Sequence, residues 1–241
     1  MQRLSGVDEL LDGPLDDPQA LAGNLRDLAR INRWLGGRRL SLAGVRALAG
    51  DRTSITVLDI GTGGADIPLA LIERGRTDGR HVSVVGLDSR AEVIAAAAVV
   101  EPRVRTEPGL ALQLGDGRSL PFADRSFDVA HVSLVIHHLE PDAAVGLLRE
   151  MARVARLGIV VNDLVRSRPA WIGAWLLGRL LTRNRYTRHD GPLSVRRAYT
   201  VAELTGLIAS AGLRVEGVAR GPWGHRVGLV ARTPATGARD R

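Results

Sequence analysis

The sequence predicts an α/β fold built on a mostly parallel sheet, and three observations carry that reading. From Ser54 onward, short apolar runs alternate with stretches of helical periodicity. The runs are apolar at nearly every position, as strands buried on both faces are. One run ends in an acidic residue, a glycine-rich turn and a helix, the kind of junction where open sheets bind ligands.

The elements follow in order. Residues 16–49 read as mainly helical, with Leu21, Leu25, Leu28 and Ile31 on one face, a break at Gly36-Gly37 and a second short helix over 40–48. Strands are predicted at 55–60, 82–87, 110–114, 127–135 and 158–161, with helices at 66–74, 91–99 and 142–155 between them. Pro68 suits a first helical turn, and Gly75 is placed to end that helix in a left-handed conformation. Ser89 to Glu92 and Thr200 to Glu203 both have capping-box spacing. The second opens a helix to Ala211, followed by strands at 214–218 and 227–231. The resulting division is a helical cap over 1–50, a main domain over 51–232 interrupted by an insertion at 164–198, and a polar, disordered tail at 233–241.

Composition narrows the classes. A chain of 241 residues holds one large domain with its own core. With no cysteine there are no disulfides, thiolate metal sites or cysteine nucleophile. Residues 1–16 are acidic and broken by Gly13 and Pro14, unlike a signal peptide, and no apolar run reaches the roughly 20 residues that span a bilayer. A cytoplasmic protein is the expectation. The net charge of +7 comes entirely from arginine, since the chain has no lysine. Abundant Ala, Gly, Leu and Val beside it fit GC-rich coding, so the charge is weak evidence for a polyanionic partner.

The strongest motif is Val57-Leu58-Asp59-Ile60-Gly61-Thr62-Gly63-Gly64-Ala65-Asp66. Its turn lets a ligand lie against bare backbone. A dinucleotide fingerprint would need glycine where Asp66 stands, and a carboxylate there repels a pyrophosphate. A P-loop is excluded because no lysine exists. The ligand should carry a cationic or zwitterionic end, and S-adenosylmethionine (SAM) fits. Asp88, followed by Ser89, ends the second strand and can accept both hydroxyls of a ribose. Asp116, beside Gly117, ends the third and can accept from an adenine amino group. Asp59, Asp88 and Asp116 thus share the carboxyl edge of a parallel sheet.

These residues resemble class I SAM-dependent methyltransferases, in particular the ubiquinone/menaquinone C-methyltransferase group and its small-molecule relatives. Asp59 to Gly63 matches the first motif, Asp88 the ribose-binding acid and Gly115-Asp116 the adenine-side motif. Leu120 to Asp128 matches the approach to the fourth strand, and His137-His138-Leu139 its end. Ala65 stands where the family usually has a third glycine. The resemblance implies a Rossmann-like, seven-stranded sheet with its last strand antiparallel and helices on both faces. It also implies SAM as cofactor, held by Asp59, Gly61, Thr62, Gly63, Asp88, Ser89, Asp116, Gly117 and Ser133, and direct SN2 transfer of the methyl group.

The Asn/Asp-Pro-Pro-aromatic motif of base N-methyltransferases is replaced here by Ser133-Leu134-Val135-Ile136-His137-His138. No specific nucleic-acid partner is therefore expected. The expected acceptor is a small aromatic, polyketide-like or quinol-like molecule, methylated on oxygen or carbon. The resemblance implies that His137 faces this acceptor while His138 packs inward, with His189 and Asp163 as alternative bases. His137, His138, His189 and His225 show no ligand spacing with carboxylates, so no metal is expected. Arg33 and Trp34 are candidates for lining the cap. In the insertion, Trp171 to Gly178 is apolar and flanked by Arg166, Arg168, Arg179, Arg183, Arg185 and Arg188. Such a segment roofs an apolar pocket, touches a membrane surface peripherally, or packs on the sheet. An RNA methyltransferase would instead cluster arginines at the cofactor mouth, and a non-catalytic SAM-binding protein would close that mouth.

Overall fold

The computed structural model describes residues 1–233. Two helices come first, α1 (Pro18–Trp34) and α2 (Gly37–Ala49). An alternating series follows: β1 (Ser54–Ile60), α3 (Asp66–Thr77), β2 (His81–Asp88), α4 (Ala91–Val100), β3 (Leu110–Leu114), β4 (Phe127–Ser133), α5 (Pro141–Val154) and β5 (Ala155–Leu164). The insertion folds as α6 (Arg168–Leu180) and α7 (Arg185–Arg197), and the chain continues with α8 (Val201–Ser210), β6 (Arg214–Arg220) and β7 (Arg226–Arg232).

The seven strands form one sheet in the order β3-β2-β1-β4-β5-β7-β6. All neighbours are parallel except β7, which runs against both β5 and β6. The expected Rossmann-like architecture is therefore present. Strand order reverses between β1 and β4, and the crevice above their carboxyl ends is where such sheets hold ligands. One face is covered by α2 and α3 through Val45, Leu48, Ile67 and Leu71. The other is covered by α5 and α8 through Leu147, Leu148, Leu204 and Ile208.

Several local expectations need correction. Helix α2 lies on the sheet, with Gly44 against Val160 and Val230, so the cap consists of the N-terminal arm, α1 and the insertion. Gly75 is inside α3, where its bare α-carbon admits Val82; the left-handed residue after that helix is Gly79, at φ +68°. Ser89 caps nothing, because α4 starts from Arg90, whose amide donates to Asp88. The Thr200–Glu203 capping box forms as expected. β4 stops at Ser133 and β5 runs on to Leu164. Thr233 donates to the Leu157 and Arg156 carbonyls; the rest of the expected tail, 234–241, lies outside the described residues.

Candidate active site

The glycine turn between β1 and α3 is locked to β2, because the amides of Gly61 and Thr62 both donate to the Leu87 carbonyl, at 2.8 and 3.0 Å. Gly61 has φ +66°, and a β-carbon there would strike Val135. Ala65 adopts φ +56° without being glycine and caps α3 fully buried. Leu25 of α1 lies over Gly64, 3.6 Å from the place a β-carbon would take.

Asp88 ends β2 beside this turn. Its Oδ2 accepts from the Gly63 amide and its Oδ1 from the Arg90 amide, both at 3.1 Å. A carboxylate has about four acceptor sites, so each oxygen retains capacity for a hydroxyl. Burial pushes the Asp88 carboxyl above the ordinary value, against the Gly63 and Arg90 amides. Ser89 is exposed. Asp116 is half-exposed and gripped by the amide and guanidinium of Arg118, which hold its carboxyl low. Gly117 backs onto Ile60 and Leu147.

Asp59 does not reach into the crevice. It is buried, with Oδ1 on His131 Nδ1 at 2.5 Å and Oδ2 accepting from the Thr62 hydroxyl at 2.8 Å. From His131 Nε2 a chain of polar groups continues to Ser41, Asn162 and Arg226. Asn162 donates to Ser41 Oγ, which lies 2.7 Å from His131 Nε2, and the other ring nitrogen, Nδ1, is held by Asp59. Arg226 is wholly buried and donates to Asn162 Oδ1, Asn32 Oδ1 and Ser133 Oγ, each at 2.7 Å. Burial pushes its guanidinium down to about 10, against the charges of Asp163 and Asp66. Asn32 passes the chain on to Asp66 at 3.0 Å. A continuous polar seam therefore underlies the carboxyl edge and fixes Asp59, Ser133 and Asp66.

Past β4 the chain reverses at Leu134, φ +57°, into a short turn over Ile136–His138. The two histidines are disposed opposite to expectation: His137 is buried and His138 half-buried. The reason is Asp163 on the adjacent strand β5. Its Oδ1 meets His137 Nδ1 at 2.6 Å, and its Oδ2 accepts from the His137 amide at 3.1 Å. Burial raises the Asp163 carboxyl, but the His137 ring, the Leu164 amide and the Arg226 charge outweigh it and leave it below the ordinary value. Asp163 and His137, which the sequence offered as alternatives, are thus hydrogen-bonded to each other. Nε2 of His137 faces Glu9 Oε1 at 3.8 Å. His189 stands at the surface on Asp190, away from this pair.

Residues 57–158 match the methyltransferase domain family. That stretch is a methyltransferase domain, and the sheet it belongs to has the fold of solved SAM-dependent methyltransferases. A demethylmenaquinone methyltransferase of Beutenbergia cavernae is 35% identical over 167 residues, 64% of this chain and 61% of that protein. The chain thus spans less than two thirds of that relative. A SAM-dependent methyltransferase from Aquifex aeolicus superposes with a TM-score of 0.63 at 19% identity, over 90% of this chain and 99% of the other. Human N-acetylserotonin methyltransferase, solved in complex with SAM, gives 0.67 at 14% identity, over 93% and 61%.

The cofactor of the methyltransferase domain is SAM, and the residues present fit it. Gly61 and Gly63 leave bare backbone beside Asp88, whose free lone pairs suit ribose hydroxyls. A cavity of about 230 Å³ lined by Arg26, Arg30, Arg38, Gly64 and Asp66 opens on the outer side of the turn. Its arginines are set against Asp66, Glu73 and Glu101, and Asp88 does not line it.

The methyltransferase domain also draws on residues that sequence reasoning missed. The N-terminal arm crosses the end of β4. Glu9 is buried against His137, His138 and Ser194, and Asp190 takes the Leu10 and Leu11 amides. Asp12 bridges His138 and Arg197. The absence of ligand spacing in the sequence is overturned in space, since Glu9, His137 and His138 bring one donor atom each within 4.8 Å of one another. The Arg197 guanidinium, 3.9 Å from Glu9, works against a cation there. Trp34 is 78% exposed.

Proposed function

We propose that the protein transfers a methyl group from SAM to an oxygen or carbon of a small aromatic, polyketide-like or quinol-like acceptor. The observation that supports this best is the His137–Asp163 pair at the end of β4, beside the crevice. SAM supplies a methyl group already activated by its sulfonium. What remains for the protein is alignment and, for a hydroxyl, removal of a proton. Asp163 takes the Nδ1 side of His137, so Nε2, which faces Glu9 Oε1 at 3.8 Å, is the nitrogen left to accept a proton once an acceptor takes the place of Glu9. Glu9 of the arm lies against His137 and Leu25 of α1 over the glycine turn, a cover of the kind that keeps water from a transfer site. A screen with methyl-labelled SAM against phenols, quinols and polyketides tests the reading. Label transfer that His137→Ala abolishes, with SAM affinity retained, supports it; transfer unaffected by that change refutes the role of His137.

One observation favours a second reading. Glu9 stands where an acceptor would meet His137, and Leu25 covers the glycine turn. A protein that binds SAM without transferring its methyl group would have this closed mouth. It would bind SAM in calorimetry and transfer no label to any member of the screen.

A further inference from the structure

Helix α6 turns an apolar face to solvent. Trp171, Ile172, Trp175 and Leu176 are 37%, 50%, 41% and 43% exposed, and Leu180 and Leu181 at its end are about three-quarters exposed. Steps of one, three and four residues place them on about half of the helix circumference. Ala170 and Gly178, to one side of this face, are buried, the latter against Arg188 of α7. Arg168 stands on the exposed face in the first turn and Arg179 in the last, its guanidinium 5.0 Å above the Trp175 ring. Arg183 and Arg188 extend the same charge just beyond the helix. Among the described residues, none of these four arginines has a carboxylate within ion-pair distance, whereas Arg185 and Arg197 do. Between 165 and 200 the sole acidic residue is Asp190, and it is buried under the N-terminal arm.

An apolar patch rimmed by charge of one sign marks an interaction surface. Its chemistry identifies the occupant. Two copies paired through this face would set arginine against arginine, whereas an anionic surface neutralises every one of them. Tryptophans suit a boundary between apolar and wet phases, and arginine stems extend along apolar surface while their heads reach phosphate. At 1.5 Å per residue, the 13-residue helix is about 20 Å long, too short to cross a bilayer but sufficient to lie in its surface. We propose that α6 docks flat on an anionic lipid bilayer, with Trp171, Ile172, Trp175 and Leu176 below the headgroups and Arg168 and Arg179 at their level. The helix starts just after β5, whose Asp163 orients His137, so docking would set the acceptor edge of the sheet near the lipid.

Flotation of the full chain with phosphatidylcholine vesicles, with and without phosphatidylglycerol, tests this without reference to methyl transfer. The protein should float with the anionic vesicles at low salt and be released at high salt. W171S/W175S should lower partition at least roughly ten-fold, and R168Q/R179Q about thirty-fold, with melting temperatures close to wild type. Failure of the wild-type protein to float at low salt overturns the proposal. So does undiminished flotation of W171S/W175S, or a concentration-dependent dimer in light scattering that this variant abolishes.

Discussion

Replacing Arg226 by methionine tests whether the buried seam holds the carboxyl edge together. Methionine matches the aliphatic stem and removes the head. The loss orphans Asn162 Oδ1 and Asn32 Oδ1, both buried, while Ser133 can turn toward solvent. Each orphaned oxygen costs about 1–3 kcal/mol. Relief of the desolvated charge works the other way, but Asp163 and Asp66 then lose the cation that offsets their own burial. The expected net cost is roughly 4 kcal/mol, or about 8–16 °C in melting temperature for a chain of this size. Arg226→Lys should fall between, since an ammonium has three donors but no planar fork to fit three separated acceptors. Urea unfolding followed by circular dichroism gives the stability, with an unchanged m-value certifying the comparison. Arg226→Met within about 1 kcal/mol of wild type would refute the reasoning.

Other outcomes follow from the same geometry. Asp88→Ala should weaken SAM binding by about ten-fold to a hundred-fold in calorimetry, as expected for losing hydrogen bonds to a charged group. Because burial holds Asp88 above the ordinary carboxyl value near 3.9, SAM affinity should begin to fall on acidification at a higher pH than an exposed aspartate would give, and Asp88→Asn should lose that dependence. Gly61→Val should abolish SAM binding, because its side chain collides with Val135 at φ +66°; retained affinity would move the site elsewhere. Asp163→Asn should lower turnover by about ten-fold to a hundred-fold with SAM affinity intact, since an amide can release His137 into the tautomer protonated at Nε2.

What was legible in the sequence is what the chain encodes over short spans. Asp59 to Ala65 is a strand, a turn and a helix start within a few residues, and the placement of Asp88 beside that turn follows from adjacent parallel strands. The His137–Asp163 contact was half visible. Both residues were candidates, but as alternatives, because only the register that sets Ser133 beside Asn162 makes them partners. His131 and Asn162 interrupt apolar strands, a signal of buried polar groups that could have been followed. Arg226 carried no such signal: an arginine opening a strand reads as surface, and its burial depends on neutral oxygens from three distant segments. Glu9 was hidden for a related reason, since an acidic residue in an acidic arm looks solvated until the fold lays the arm across β4.

Glu9 supplies the test of that arm. It is 3% exposed, and His138, Ser194, Asp190 and Asp12 surround its carboxyl. Burial is the dominant influence, partly offset by His138 and Ser194, and the carboxyl is pushed up to about 7. Its Oε1 has no hydrogen-bond partner, which is tolerable for a protonated acid and costly for a carboxylate. In the unfolded chain the group ionises near 4.5, so between that pH and about 7 the folded state holds a proton that the unfolded state has released. Stability contributed by the neutral acid is present below pH 4.5 and is lost as pH rises through 7. A shift of this size corresponds to about 3 kcal/mol, or roughly 6–12 °C in melting temperature. Glutamine mimics the neutral acid, so Glu9→Gln should match wild type near pH 4.5 and exceed it progressively toward pH 8. Melting curves of the two proteins across that range measure the difference directly, and contributions from His138, Asp12 and Asp190 common to both largely cancel. A constant difference between the curves would mean that Glu9 is ionised in the folded protein and that the arm is held by charge, through Arg197 and His138, in place of a buried neutral acid.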